Sequence, residues 1–445
     1  MHVIDNVERI PAPPADVFHR KYVLERRPVI LTDLFDDQPI RAIDTATKAR
    51  ERLADLPVAV QPNYMTALLA QGRTDEPEQT SLGAFLDHLQ RDPSSDDYCV
   101  EYPTPPAMQE LIAPTGHCRL VDESDLLSLM FVAAPGNFAQ LHYDRDQRHV
   151  LMYQAFGRKR YVIIDPREGR KVAPLAERGI QRTSAILVQN FTEDDKRAFL
   201  EYTNAWNCVL EPGETLFMPI MAWHYIEYQD TSMSVSYRLG RNRYNRFLAE
   251  SVPIPSVFLQ RLSLEFANAA AVDTARRDVF DLIQEAAAAR HPSEEARARA
   301  LDRLCMEACD RLDPEGSRIY TTMDRRRREQ LAAEPAATTN GAGPAPTWRD
   351  EDPVALAPDV MVVEPLSDEG AAARSVLLLR RGRLDMGLTI DEPMQWLFDA
   401  LKILSSSGAP LTISALCERC GVEPATVRHV FNQLHERGWV TAGGR

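Results

Sequence analysis

Gly136-Asn137-Phe138-Ala139-Gln140-Leu141-His142-Tyr143-Asp144 places an imidazole two residues ahead of a carboxylate in a run that reads as a β-strand. Side chains alternate between the faces of a strand, so His142 and Asp144 share a face and can grip one side of a metal ion. Such a pair needs a third ligand, and His224 stands far downstream in Pro219-Ile220-Met221-Ala222-Trp223-His224-Tyr225-Ile226-Glu227. Two imidazoles and a carboxylate form a facial set that leaves coordination positions open on the opposite side. A His-x-Asp alone more often marks a turn or a surface pair, so the flanking blocks have to decide.

Outward from this core the sequence is a series of short strands. Leu127–Val132, His149–Gln154, Arg160–Asp165, Thr215–Met218, Trp223–Glu227 and Met233–Tyr237 read as β, separated by Gly, Pro and Asp turns. With no amphipathic helix between them, they predict a mainly β core, an antiparallel barrel or jelly roll rather than a βαβ sheet. The mouth of such a barrel is a natural ligand cavity. Upstream, Pro14–Phe18 starts a helix, and Arg27–Thr32, Val58–Val60 and Asp97–Tyr102 read as strands. Residues 42–56 and 81–91 carry helical spacing, the second capped from Thr80 or Ser81.

The blocks around the ligands carry a likeness. Val150 to Tyr161, with its Gly157-Arg158-Lys159-Arg160 turn, and Pro212-Gly213-Glu214-Thr215-Leu216-Phe217-Met218-Pro219 ahead of Trp223-His224 resemble the JmjC and cupin-like Fe(II)/2-oxoglutarate oxygenases. The resemblance spans residues 10–245 and is similar in detail to the asparaginyl hydroxylase of the hypoxia-inducible factor. It implies a double-stranded β-helix (a JmjC/cupin jelly roll) with catalytic Fe(II) on His142, Asp144 and His224. Lys159 matches the family lysine that pairs with the distal carboxylate of 2-oxoglutarate, against the alternative of an exposed strand lysine. Tyr98 matches a cosubstrate-binding tyrosine, a core aromatic being the alternative, and Ser236 stands where that relative has an Asn. The segment from Asp144 to Gln154 is two residues longer here, so the partner of the C1 carboxylate stays open among Gln147, Arg148 and His149; Ala139 replaces a Thr. The resemblance implies a reaction that consumes O2 and 2-oxoglutarate, releases succinate and CO2, and hydroxylates an unactivated C–H bond on a residue of a protein or peptide. A small-metabolite oxygenase, an N-methyl-lysine demethylase and a non-catalytic cupin-fold regulator are the alternatives.

Beyond Tyr244 the pattern turns helical. Phe258–Phe266, Arg277–Ala288 and Ser293–Leu312 carry helical spacing, and an Ala-, Pro- and Gly-rich stretch follows. The expected division is a catalytic domain over 1–248, a helical region over 249–330 suited to a homodimer, a linker over 331–355 and a winged-helix domain over 356–445. In the last, Val360–Val363 and Ser375–Leu379 read as strands ahead of helices at Met394–Leu404, Thr412–Cys420 and Glu423–Arg437. The layout resembles that of ribosomal oxygenases, and the module resembles leader-peptide recognition elements, so a peptide-binding or structural role is expected of it. Between Asp385 and Arg445 seven acids face five Lys and Arg, which argues against DNA.

Composition sets the outer bounds. The 445 residues carry a formal charge of −14, which excludes whole-molecule attraction to nucleic acid or anionic lipid. No run is long and apolar enough to span a bilayer, and the polar start Met1-His2-Val3-Ile4-Asp5-Asn6 is no signal peptide, so a cytoplasmic protein is expected. Seven cysteines, an odd number, fit a reducing compartment. Cys417-x-x-Cys420 lacks the second pair that structural zinc requires and reads as two half-buried helix cysteines. Arg325–Arg328 reads as a solvated helix end, or else as a contact for an acidic partner.

Overall fold

The alternating strands pair into two sheets whose inner faces share one apolar cluster and one cavity. A computed structural model describes residues 5–63, 77–120, 126–172, 181–184, 186–251, 262, 266, 274–312, 314, 348–357, 360–363, 373–380, 383–391, 394–407, 410–436 and 438–442. The protein divides into two units, the first running to Tyr320. Its strands are β1 (Arg9–Ile10), β2 (Val29–Leu31), β3 (Pro57–Pro62), β4 (Glu78–Ser81), β5 (Asp97–Pro103), β6 (Leu127–Ala133), β7 (Phe138–Asp144), β8 (His149–Phe156), β9 (Lys159–Ile164), β10 (Gln181–Thr183), β11 (Trp206–Leu210), β12 (Thr215–Met218), β13 (Trp223–Tyr228) and β14 (Ser232–Leu239). The larger sheet runs β1-β2-β12-β8-β14-β6-β5-β3-β4 and the smaller β10-β7-β13-β9-β11. Apart from β1–β2 the pairings in both are antiparallel, as expected of a jelly roll.

Alternation within the strands sorts the two faces. On β14, Met233, Val235, Tyr237 and Leu239 join the outer core, where they meet Phe18, Phe35 and Leu86, so Ser232, Ser234, Ser236 and Arg238 turn inward. On β13, Trp223 and Tyr225 enter an outer cluster with Tyr143, while His224, Ile226 and Tyr228 line the cavity. The β8–β9 turn is sharp because Gly157 takes φ +66 and sits against Thr231 and Ser232, where a Cβ would lie 2.6 Å from that of Ser232. Lys159 begins β9 directly after it.

Three expectations are corrected. An amphipathic helix does interrupt the strands: Glu193–Thr203 lies between β10 and β11, started by a capping box in which Thr192 and Asp195 exchange hydrogen bonds. It buries Phe199 and Leu200 against the outside of the smaller sheet, so the barrel's interior is unaffected. The strand set of the first unit is also larger than the sequence pattern predicts, with β1, β4, β10 and β11 added. Third, the linker does not extend to 355, because Trp348 is buried in the second unit's core and Pro353–Leu356 is a strand of that unit. Residues 331–347, Arg325–Arg328 and most of Phe258–Phe266 lie outside the described residues.

The helices Thr274–Ala288 and Glu294–Leu312 gather Phe280, Ile283, Leu301, Cys305 and Cys309 around Tyr244 and Phe266 in a small core of their own. In the second unit, β15 (Pro353–Leu356), β19 (Leu411–Thr412) and β20 (Val440–Ala442) form one sheet, and β16 (Val360–Val363), β17 (Ala373–Arg380) and β18 (Arg383–Asp391) another. Helices Gln395–Ser406, Ile413–Cys420 and Pro424–Glu436 complete it. Thr412 caps the second of these by accepting from the Ala415 amide, and Gly421 ends it at φ +64. Among the described residues no helix is long and apolar enough to cross a membrane.

One buried imidazole in the barrel gives an acid-stability prediction. His149 is 2% exposed, its Nδ1 accepts from the Ile220 amide at 3.0 Å, and its ring stacks on Phe217. Burial, with the charges of Arg26 and His19, holds its pKa down at about 3. The folded state therefore keeps it neutral while the unfolded state protonates below its ordinary pKa, about 6.5. Its contribution to stability is complete above about pH 6.5 and falls as pH drops toward 3, by about 1.4 kcal/mol per pH unit. Urea unfolding at pH 7 and pH 5 should show His149→Gln losing about 2 kcal/mol less than wild type over that interval. Equal losses would mean that His149 is not held neutral.

Candidate metal centre

Strand register brings the ligands together. β7 lies between β10 and β13, and His142 is directly paired with both Thr183 and His224. Asp144 follows on the same face of β7. The ring centroids of His142 and His224 are 4.3 Å apart, and His142 Nε2 lies 3.6 Å from Asp144 Oδ1. Ligand atoms of all three residues fall within 4.8 Å of one another, the one such His, Cys, Asp or Glu group among the described residues. Behind them, Tyr143 and Trp223 meet edge to face at 4.9 Å on the sheet's outer side and lock the two ligand strands together.

The imidazoles are already oriented. His142 Nδ1 donates to the Gln140 carbonyl at 2.5 Å and His224 Nδ1 to the Ala222 carbonyl at 3.0 Å, which leaves each Nε2 free to bind a metal. Burial, reinforced by neighbouring His142, lowers the His224 pKa to about 4, so its lone pair is available at neutral pH. For His142 burial acts the same way, but the hydrogen bond and charge of Asp144 outweigh it and raise the pKa. Burial would raise the Asp144 carboxyl; Arg238 above all, then His142, hold it well below the carboxylate range. Two imidazole nitrogens and a carboxylate, preset by backbone acceptors, suit Fe(II).

A cavity of about 270 Å³ opens from this cluster. Its wall includes Tyr98, Phe131, Tyr161 and Tyr228 with Lys159, and Asn63, Gln140, Glu101 and Arg238. Lys159 is 1% exposed, not an exposed strand lysine, and its Nζ lies 4.1 Å from the Tyr228 ring centroid and 5.6 Å from that of Phe131. Among the described residues no carboxylate pairs with it, and burial pushes its pKa well below the ordinary lysine value. It begins β9 four residues before Ile163, the strand partner of His224, which is about 13 Å along the strand. Its side chain lines the same cavity as the three ligands, and a buried cation there suits the far carboxylate of a short diacid whose other end meets the metal.

Other sequence candidates fare differently. Tyr98 lies in the cavity wall and is also part of the inner apolar cluster. Ser236 faces inward from β14, where its hydroxyl donates to the Leu129 carbonyl at 3.5 Å, and the cavity wall does not include it. Gln147, Arg148 and His149, the candidates for the C1 carboxylate, also lie outside the wall. Sequence reading missed Arg238 and Glu101. The first was legible as the next inward position after Ser236. The second was not, because a bulge in β5 and φ +51 at Glu101 turn inward a side chain that strict alternation would send outward.

The comparisons agree with this architecture. A cupin-like domain matches residues 14–238, and an IclR helix-turn-helix domain matches 397–443. The protein is similar to lysine-specific demethylase 8 of Xenopus tropicalis, 25% identical over 254 residues, 53% of the present sequence and 54% of that protein. Lysine-specific demethylase JMJ30 of Arabidopsis thaliana is 28% identical over 244 residues, covering 52% of the present sequence and 54% of its own length. JmjC domain-containing protein D of Dictyostelium discoideum is 20% identical over 260 residues, 52% and 55% of the two sequences. The protein thus spans about half the length of the curated relatives it matches. These relatives support the JmjC and cupin assignment and not the asparaginyl hydroxylase in particular.

Proposed function

The protein belongs to the cupin-like domain family, and from that and its JmjC-named and demethylase-named relatives we propose that it is an Fe(II)- and 2-oxoglutarate-dependent hydroxylase acting on a C–H bond of a residue in a protein or peptide. The observation that carries the reading is the pairing, in one cavity, of the His142-Asp144-His224 cluster with the buried ammonium of Lys159, which has no carboxylate partner among the described residues. When bound, iron, O2 and 2-oxoglutarate supply the oxidising chemistry. The protein's own residues present two Nε2 atoms and one carboxylate oxygen, leave the remaining metal positions open, and anchor the far end of the diacid. The aromatic wall of Tyr98, Phe131, Tyr161 and Tyr228 keeps water from the anchored end.

N-methyl-lysine demethylation is the second reading, favoured by the names of the relatives. It uses the same site, since hydroxylation of a methyl carbon on nitrogen releases formaldehyde. The second unit serves this reading as a peptide-binding element rather than a DNA reader, and residues 250–330 as a homodimer contact; a monomeric mass in solution would refute the dimer.

Anaerobic titration of metal-free protein with Fe(II) and 2-oxoglutarate tests the proposal. A visible charge-transfer band from the chelate is the expected result. Its absence in metal-loaded protein would leave a cupin-fold binding or regulatory protein. With a band in hand, mass spectrometry of peptide libraries separates the readings: a gain of one oxygen marks hydroxylation, and loss of a methyl group with formaldehyde marks demethylation.

A further inference from the structure

We propose that Arg238 is a positioning residue for the metal, pinning the outer oxygen of Asp144 so that this ligand offers the ion one oxygen only. The inference rests on the oxygenase reading and concerns how the site keeps its open positions.

The two oxygens of Asp144 face different partners. Oδ1 lies 3.6 Å from His142 Nε2, on the side where the ligand atoms converge. Oδ2 lies 3.4 Å from Arg238 Nη1. The same guanidinium reaches Asp146 Oδ2 at 3.3 Å and, through Nη2, Glu101 Oε1 at 2.5 Å. Arg238 is only 8% exposed, so its fork is held between three carboxylates with little room to swing away.

Its origin in the fold gives the contact a purpose. Arg238 comes from β14 in the larger sheet and Asp144 from the end of β7 in the smaller, so the ion pair ties the two sheets together at the ligand. On the other side, the guanidinium is held by Glu101, whose left-handed backbone aims its carboxylate at Arg238. Backbone of that kind in a non-glycine residue is costly and persists where the surroundings require it.

A free carboxylate can bind a divalent ion through both oxygens. Bidentate Asp144 would occupy one of the positions that a chelating cosubstrate and oxygen need. An arginine beside Oδ2 makes the second metal bond compete with a buried ion pair. The carboxylate stays monodentate and its plane stays fixed.

The test uses metal alone and metal with 2-oxoglutarate, on full-length wild type, Arg238→Met and Arg238→Gln. Co(II) absorption reports coordination, isothermal titration gives the metal affinity, and the anaerobic Fe(II)/2-oxoglutarate band reports chelate formation. Loss of an outer partner of a ligand weakens metal binding by about 10–100-fold. R238M should show that loss, with altered Co(II) band intensity and a weakened or shifted chelate band. R238Q, which keeps one hydrogen-bond donor without the charge, should lie between. Thermal melts of the metal-free variants identify any that do not fold, and if R238M fails, R238Q decides by the same readouts. Wild-type affinity and spectra in a folded variant would overturn the inference while leaving the oxygenase reading intact. No chelate band in wild type would overturn both.

Discussion

Lys159→Met should raise the 2-oxoglutarate concentration needed to half-saturate the anaerobic charge-transfer band by about 100-fold or more, while the metal-free protein becomes more stable. The two effects have one cause. Without a bound anion, the ammonium is 1% exposed, faces the rings of Tyr228 and Phe131, and has no carboxylate partner among the described residues. Replacing even a buried ion pair by apolar groups of similar volume is often neutral or stabilising, by about 1–4 kcal/mol, and a buried amine with no carboxylate beside it among the described residues has less still to lose. Removing the same charge from a buried pair formed with a carboxylate costs about 3–5 kcal/mol, which is a factor of about 100 or more in affinity.

Sign and pH dependence make the prediction specific. Burial lowers the Lys159 pKa, so the free site tends to lose its proton and a bound carboxylate restores it. Affinity for 2-oxoglutarate in wild type should therefore fall as pH rises through the lowered pKa, with proton uptake on binding, and K159M should lose that dependence. Fe(II) affinity without cosubstrate should be unchanged, because Lys159 touches none of the ligands. A variant with wild-type 2-oxoglutarate affinity would place the distal carboxylate elsewhere. One that melts earlier than wild type would show that Lys159 is paired in the free protein.

The legible parts of this sequence are those where a local rule and the fold agree. His142 and Asp144 could be paired from strand alternation alone, and Trp223–Glu227 was visible as a strand, but only the register of β7 against β13 puts His224 opposite His142. Resemblance supplied Lys159; its burial, and the lack of a carboxylate partner among the described residues, came from the fold. Short edge strands such as β10, three residues long, carry too little pattern to be read. The helix Glu193–Thr203 had a readable signal in Thr192-Glu193-Asp194-Asp195, a capping box followed by Phe199 and Leu200, which the dense run of strands around it obscured. Glu101 and Trp348 show the limit from opposite sides. The first departs from alternation through a bulge, and the second is an anchoring aromatic at the edge of a low-complexity stretch that composition assigns to a linker.

His224→Ala should abolish the charge-transfer band and cost the metal about two to three orders of magnitude in affinity. Four-ligand protein zinc sites bind with about 10–16 kcal/mol, so a single ligand is worth roughly 3–4 kcal/mol, a factor of about 100 to 1,000. The fold should survive. His224 contributes one hydrogen bond, to the Ala222 carbonyl, while Trp223 and Tyr225 on the outer face keep β13 in place. The loss should therefore separate cleanly from stability in a thermal melt. Excess metal at about 100 times the dissociation constant stabilises wild type by about 2.7 kcal/mol. The variant at the same metal concentration should gain far less, while its metal-free melt stays close to that of wild type. A band retained in H224A would mean that the ion is held by His142 and Asp144 with a ligand other than His224, and the cross-strand register that defines this site would not be what binds metal. A lost band with an unchanged metal-free melt would tie the chemistry to the one ligand that β13 brings to the pair on β7.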